Sequence, residues 1–197
     1  MLFMLDKKAF TDMRKQIEKF DSLREDLIKT SRDLLKISKA AIYNIHRHKL
    51  SDAEKQLKNA KTIIKKMNSF IKKDATLTSV GAYSEALEEY VEAACYYSFI
   101  KDSRLPTAKE LGVNTMVYLQ GVCDLVGELV RKAINSSIKG EFKTALKIRD
   151  FVSDIYGELM MFDFRNSPVR RKFDSIKYGL DKLENLILEL KLKKKIK

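Results

Sequence analysis

Proline and glycine are scarce in this sequence, at 2 and 7 residues among 197. The chain therefore has few places to turn, and few turns over such a length imply long helices. Tryptophan is absent, and cysteine occurs only at Cys95 and Cys123, both inside apolar runs. With no signal-peptide pattern, they read as buried free thiols in a reducing compartment, so a soluble cytoplasmic protein is expected. No stretch of about 18 residues is free of charge, so no membrane-spanning helix and no membrane partner are expected.

What is present suits a folded helical domain. Hydrophobic residues make up 45% and charged residues 34%, which excludes a disordered chain. The residues between the turns are mostly Leu, Ile, Lys, Glu and Ala, all compatible with helix. No internal repeat or linker divides the chain, so residues 1–197 read as one all-α domain, with residues 191–197 forming a tail that holds five Lys. The net charge of +12 favours polyanionic partners such as nucleic acid. The competing reading is that many lysines simply keep helices soluble.

Hydrophobic spacing predicts about six or seven helices. The first runs from about Asp6 to His48, with Phe10, Met13, Ile17, Phe20, Leu23, Leu27, Leu34, Ile42 and Ile45 on its apolar side. A helix of that length spans roughly 60 Å, so part of its surface is expected to meet another subunit. Ser51-Asp52-Ala53-Glu54 reads as a capping box opening the second helix. Thr76 to Gly81 reads as a loop, and the third helix runs from Tyr83 to Lys101. Thr107 to Glu110 caps a short turn ended by Gly112, and Asn114 caps a helix reaching Ile138. Another spans Phe142 to Phe162, and Ser167-Pro168 starts the last. Its Val169, Phe173, Ile176, Leu180, Leu183, Ile187 and Leu190 alternate gaps of four and three, a coiled-coil-like seam.

Four carboxylates stand in unusual surroundings. Between Val113 and Val130 the only charges are Asp124 and Glu128, four apart and therefore on one helix face. The helix around them is apolar nearly all round, which marks a buried helix. On the preceding long helix, Glu89 and Glu92 are three apart, and Ala93 to Ile100 carries no charge. Glu85 and Glu88, a turn earlier, read as solvated. If the two helices pack antiparallel, the four acids converge. Such a set suits one or two Mg²⁺ or Mn²⁺ ions with oxygen ligands, a centre able to activate water and hold a phosphate. The alternative is an ion-pair network, with Arg131 and Lys132 following Glu128.

These segments also carry a family likeness. Leu87-Glu88-Glu89-Tyr90-Val91-Glu92-Ala93 and the run from Tyr118 to Leu129, continued by Ile134-Asn135-Ser136, resemble motifs of translin-associated factor X. Ser31-Arg32-Asp33, Ser38-Lys39 and Ile45-His46-Arg47 are similar to the first helix of the same family, and Val169 to Tyr178 resembles translin itself. The likeness spans about Phe20 to Leu192, with the blocks in the family's order. It implies a seven-helix fold assembled into closed, roughly octameric shells that bind single-stranded nucleic acid. The X factor supplies a Mg²⁺-dependent endoribonuclease site with a Glu-x-x-Glu pair and an Asp-x-x-x-Glu pair. Carried over by motif, those are Glu89 with Glu92, and Asp124 with Glu128. Translin lacks the full set, so the chain resembles the catalytic branch. One departure is that residues 76–86 contain no Lys or Arg, where translin has a basic, aromatic-rich stretch.

RNA contacts must then come from elsewhere. Arg32, Lys39 and His46 recur every seven residues, with Lys36, Tyr43 and Arg47 near the same stripe of the first helix. A basic row containing an aromatic suits a phosphate backbone with a stacked base; an ordinary solvated face is the alternative. The expectation is thus a metal-dependent endoribonuclease on single-stranded RNA, working as a homo-oligomer. Two alternatives stay open: a non-catalytic shell binding single-stranded RNA or DNA, and an all-α nucleoside-triphosphate pyrophosphatase. The latter shares Glu88, Glu89 and Glu92 as Glu-Glu-x-x-Glu but differs in its second motif.

Overall fold

The computed structural model describes residues 5–196, of which the great majority are helical. The helices are α1 (Lys7–His46), α2 (Leu50–Ile71), α3 (Gly81–Asp102), α4 (Ala108–Leu111), α5 (Thr115–Ile138), α6 (Phe142–Met160) and α7 (Pro168–Leu192), with no strand among the described residues. The segment read as a loop before α3 is a 3₁₀ turn, Ala75–Ser79, capped by the Asp74 carboxylate, which accepts from the Thr76 backbone N–H at 3.0 Å. Among the described residues, no helix is long and apolar enough to cross a membrane.

Local chemistry sets most boundaries where expected. Asn114 accepts from the Val117 N–H at 3.0 Å, and Ser167 caps α7 with Pro168 in its first turn. Thr107 and Glu110 exchange backbone hydrogen bonds as a full capping box. Ser51 does not cap α2, contrary to expectation. The chain leaves α1 through His48 at φ 61°, and α2 begins at Leu50 with Ser51 inside its first turn. Lys49 N–H donates back to the Asn44 carbonyl at 2.9 Å, so the turn closes on α1's own end and half-buried Leu50 joins the core.

α3 and α5 form the centre, packed on each other, with α1 and α2 on one side and α6 and α7 on the other. Cys95 and Cys123 are buried here as free thiols. The backbones of α3 and α5 touch at Gly121, where a Cβ would stand 2.6 Å from the Val91 side chain and 2.7 Å from the Glu88 carbonyl oxygen. Only glycine permits that approach. The apolar side of α1 divides in two: Leu27, Leu34, Ile42 and Ile45 are buried, but Phe10, Met13 and Ile17 are exposed.

Candidate functional site

The contact at Gly121 puts the charged turns of α3 and α5 opposite one another. Glu89 and Glu92 from α3 and Asp124 and Glu128 from α5 lie close enough for Glu92 to feel the charge of the other three. Glu92 is buried, and burial, then Glu89, Asp124 and Glu128, push its pKa up to about 8. Burial likewise raises Glu89, with Lys39 opposing and Asp124 and Glu128 adding to the rise. The four acids expected from sequence are therefore brought together.

Three further side chains join them. Lys172 of α7 places its ammonium between Asp124 and Glu88, 2.8 Å from Glu88 Oε2. Burial opposes its charge, but the bonds to the two carboxylates outweigh it and hold its pKa above the ordinary value. Glu88 is thus buried and paired, which corrects its reading as solvated. His46 is turned inward: its Nε2 meets the Glu128 carboxylate, and its Nδ1 lies 3.2 Å from the Tyr96 hydroxyl. A carboxylate only accepts, so Nε2 carries a proton toward Glu128, and Nδ1 is within hydrogen-bond distance of the Tyr96 hydroxyl. The hydrogen bond from His46 holds the Glu128 carboxyl below its usual range despite burial. Arg131 adds a weaker contact to Glu128 at 3.8 Å, whereas Lys132 faces away toward His48.

The basic stripe of α1 separates accordingly. Arg32, Lys36, Lys39, Tyr43 and Arg47 are exposed, while His46 leaves the stripe for the acid cluster. Lys39 reaches to 3.9 Å from Glu89, at the rim of the acids. Arg47 stacks over the Tyr43 ring, 5.3 Å from its centroid. The stripe and the acids are therefore adjacent.

Among the described residues, no three acid, His or Cys side chains are arranged as a ready metal cage. The reason is visible in the ion pairs, since Lys172, His46 and Lys39 hold carboxylates that a cation would need. Glu92 is the exception, with no cationic group at ion-pair distance among the described residues. The donor set fits a hard divalent ion all the same. Its donors are carboxylate oxygens, and Glu92, whose protonated form is favoured by burial and three neighbouring acids, would ionise against added positive charge. Lys172, 31% exposed, and Lys39, 62% exposed, can both swing away without opening the core.

Sequence reasoning missed Lys172, read Glu88 as solvated, and placed His46 on the RNA-facing stripe and not beside the acids. Lys172 left one trace: it follows Val169 by three and precedes Ile176 by four, which puts it at the margin of the apolar seam.

Comparison with known proteins gives a consistent result. The Translin family model matches residues 22–194. A protein of Methanocaldococcus jannaschii is 31% identical over 186 residues, covering 90% of this chain and 82% of its own. Translin-associated protein X of Mus musculus is 26% identical over 227 residues, covering 94% of this chain and 78% of its own. Among solved structures, apo-NeC3PO superposes with a TM-score of 0.85 at 30% identity, covering 95% of this chain and 98% of that one. AfC3PO, solved in complex with duplex RNA, superposes at 0.85 with 28% identity, covering 93% and 97%.

Proposed function

The chain belongs to the Translin family, and from that premise we propose that it hydrolyses RNA phosphodiesters with Mg²⁺ or Mn²⁺ held by Glu89, Glu92, Asp124 and Glu128. In this reading it is a catalytic subunit, like the X factor, in a closed homo-oligomeric shell in the cytoplasm. The observation that carries it is the gathering of these acids beside an exposed basic stripe, with no cationic group at ion-pair distance from Glu92 among the described residues.

When bound, a divalent cation neutralises phosphate charge and lowers the pKa of a water on it. The protein's own side chains prepare the site for that. Glu92 holds a proton on a carboxyl oxygen in the metal-free site, and would be a donor to a bound cation once ionised. Lys172 holds Asp124 and Glu88 in place, and Asp124 would serve a bound cation only with Lys172 displaced. His46, fixed by Tyr96, orients the Glu128 carboxylate. Lys39 at the rim and Arg47 with Tyr43 further along α1 face the phosphate backbone and a base.

A second reading, a binding shell without chemistry, is supported by the ion pairs that Lys172 and His46 already make with the acids. The test offers labelled single-stranded RNA, duplex RNA, single-stranded DNA and dUTP to the protein with Mg²⁺ or EDTA, beside Asp124→Asn. The parent should cut single-stranded RNA only with Mg²⁺. Asp124→Asn should lose roughly 100-fold or more in rate while binding RNA as before. A parent that binds RNA but leaves it intact favours the binding shell, and dUTP hydrolysis in place of RNA cleavage sinks both.

A further inference from the structure

Beside the acid cluster, a second cleft of about 190 Å³ opens between the α1–α2 turn and the end of α5. His48, Lys132, Asn135, Ser136 and Lys139 line it, and His46 forms the wall it shares with the acids. Lys139 Nζ stands 3.4 Å from His48 Nε2, a basic group against a basic group. His48 is held there by a left-handed backbone, φ 61°, that a non-glycine residue rarely adopts. The opposing carboxylate is Glu141, whose Oε2 already accepts from the Ser136 hydroxyl at 2.9 Å. Lys132 is partly withdrawn from water and its pKa is depressed, by burial first, with Lys139 adding to the fall and Glu141 opposing it. The same positive surroundings, Lys132 foremost, hold His48 below its ordinary value. Three nitrogen bases thus converge on one small cleft and leave its positive potential poorly compensated.

A tetrahedral oxyanion answers that arrangement. Two ammonium groups supply charged donors, and the His48 imidazole and the Asn135 amide add neutral ones. His46 both lines this cleft and meets Glu128, so one side chain connects the cleft to the acids. We propose that the cleft of His48, Lys132, Asn135 and Lys139 binds a backbone phosphate of the RNA strand, adjacent to the phosphate presented to the acids. Its placement beside the cut bond rests on the nuclease reading; its affinity for RNA phosphate does not. Holding one phosphate here fixes the register of the strand across the acids and gives it a direction.

The test is a phosphate scan in EDTA, where nothing is cut. A short single-stranded RNA is made with one neutral methylphosphonate at each position in turn, and its affinity is read by fluorescence anisotropy. The parent is compared with Lys132→Gln/Lys139→Gln and with Lys65→Gln as a remote control. One position should cost the parent and Lys65→Gln about tenfold and cost the double variant less than twofold, the non-additivity expected of groups in contact. The double variant should also flatten the dependence of log affinity on log salt by about 0.7 or more. If it fails to fold, Lys139→Gln, at an exposed position, carries the same comparison. Equal losses in every protein at every position, or a double variant that binds like the parent, would overturn the proposal. So would inorganic phosphate that weakens RNA binding to parent and double variant alike. Mg²⁺ is then added to the parent. If it cuts, the sensitive phosphate should neighbour the cut bond, and one several steps away overturns the placement. If it does not cut, the coupling supports the phosphate pocket and only the nuclease reading fails.

Discussion

Glu92 carries the sharpest conflict between burial and charge. Its carboxyl titrates near 8 in the folded chain against 4.5 for an unperturbed glutamate. Between those values the folded state holds a proton that the unfolded state has lost, so unfolding releases it and stability falls as pH rises through that window. In metal-free protein, Glu92→Gln should therefore melt higher than the parent, with a gap that grows from pH 5 to pH 8. About 2 kcal/mol at pH 7, or roughly 4–8 °C, is expected by differential scanning fluorimetry. A gap that shrinks with rising pH would contradict this. Lys172 has the opposite sign. Lys172→Met strands Asp124 and Glu88 and should cost roughly 1–2 kcal/mol in EDTA, less than a fully buried pair because the ammonium is partly hydrated. Mg²⁺ should then raise the melting temperature of this variant more than that of the parent. The four acids were legible in sequence because charge inside an apolar helix is a local pattern. Their partners were not, because Lys172 is 84 residues from Glu88 and His46 is 82 from Glu128, and no spacing encodes such meetings.

At the scale of elements, the site depends on how closely α3 and α5 cross. Replacing a helical glycine by alanine usually stabilises by up to about 1 kcal/mol. At Gly121 the sign should reverse, because the new methyl would overlap both Val91 and the Glu88 carbonyl. Gly121→Ala should cost about 2 kcal/mol or more by urea denaturation, with activity falling as the acids separate. Val91→Ala should rescue only part, since it relieves the side chain and not the backbone carbonyl. Helix order, the caps at Thr107, Asn114 and Ser167, and the α7 seam all follow from local pattern, and each is present. The α1–α2 turn was misread because Ser51 to Glu54 has the letters of a cap, while the backbone turns three residues sooner at His48. The crossing at Gly121 was not foreseen either, since a glycine in an apolar helix reads the same whether or not another backbone meets it.

The whole molecule leaves one long apolar strip unused. Phe10, Met13 and Ile17 in the first turns of α1 are exposed at a spacing that forms one face, and Leu5 just before the helix is exposed as well. A second copy of the chain would cover it, as expected of a helix that extends about 60 Å over its 40 residues. Phe10→Glu/Ile17→Glu should shift the assembly to smaller species in sedimentation velocity while leaving helix content unchanged; an unaltered sedimentation coefficient would place the interface elsewhere. The net charge of +12, read first as either a solubility device or a nucleic-acid footprint, has two places on the folded chain that suit the second role: the α1 stripe and the cleft at His48.

The proposed hydrolysis requires the acid cluster to take a divalent cation. Calorimetric titration of Mn²⁺ into the metal-free protein at pH 7, run in two buffers of different ionisation enthalpy, measures this directly. Saturable binding with release of close to one proton is predicted, because Glu92 must ionise to become a donor, and both the heat and the proton should be lost in Asp124→Asn. Equal titration curves for parent and variant, or no binding by either, would contradict it.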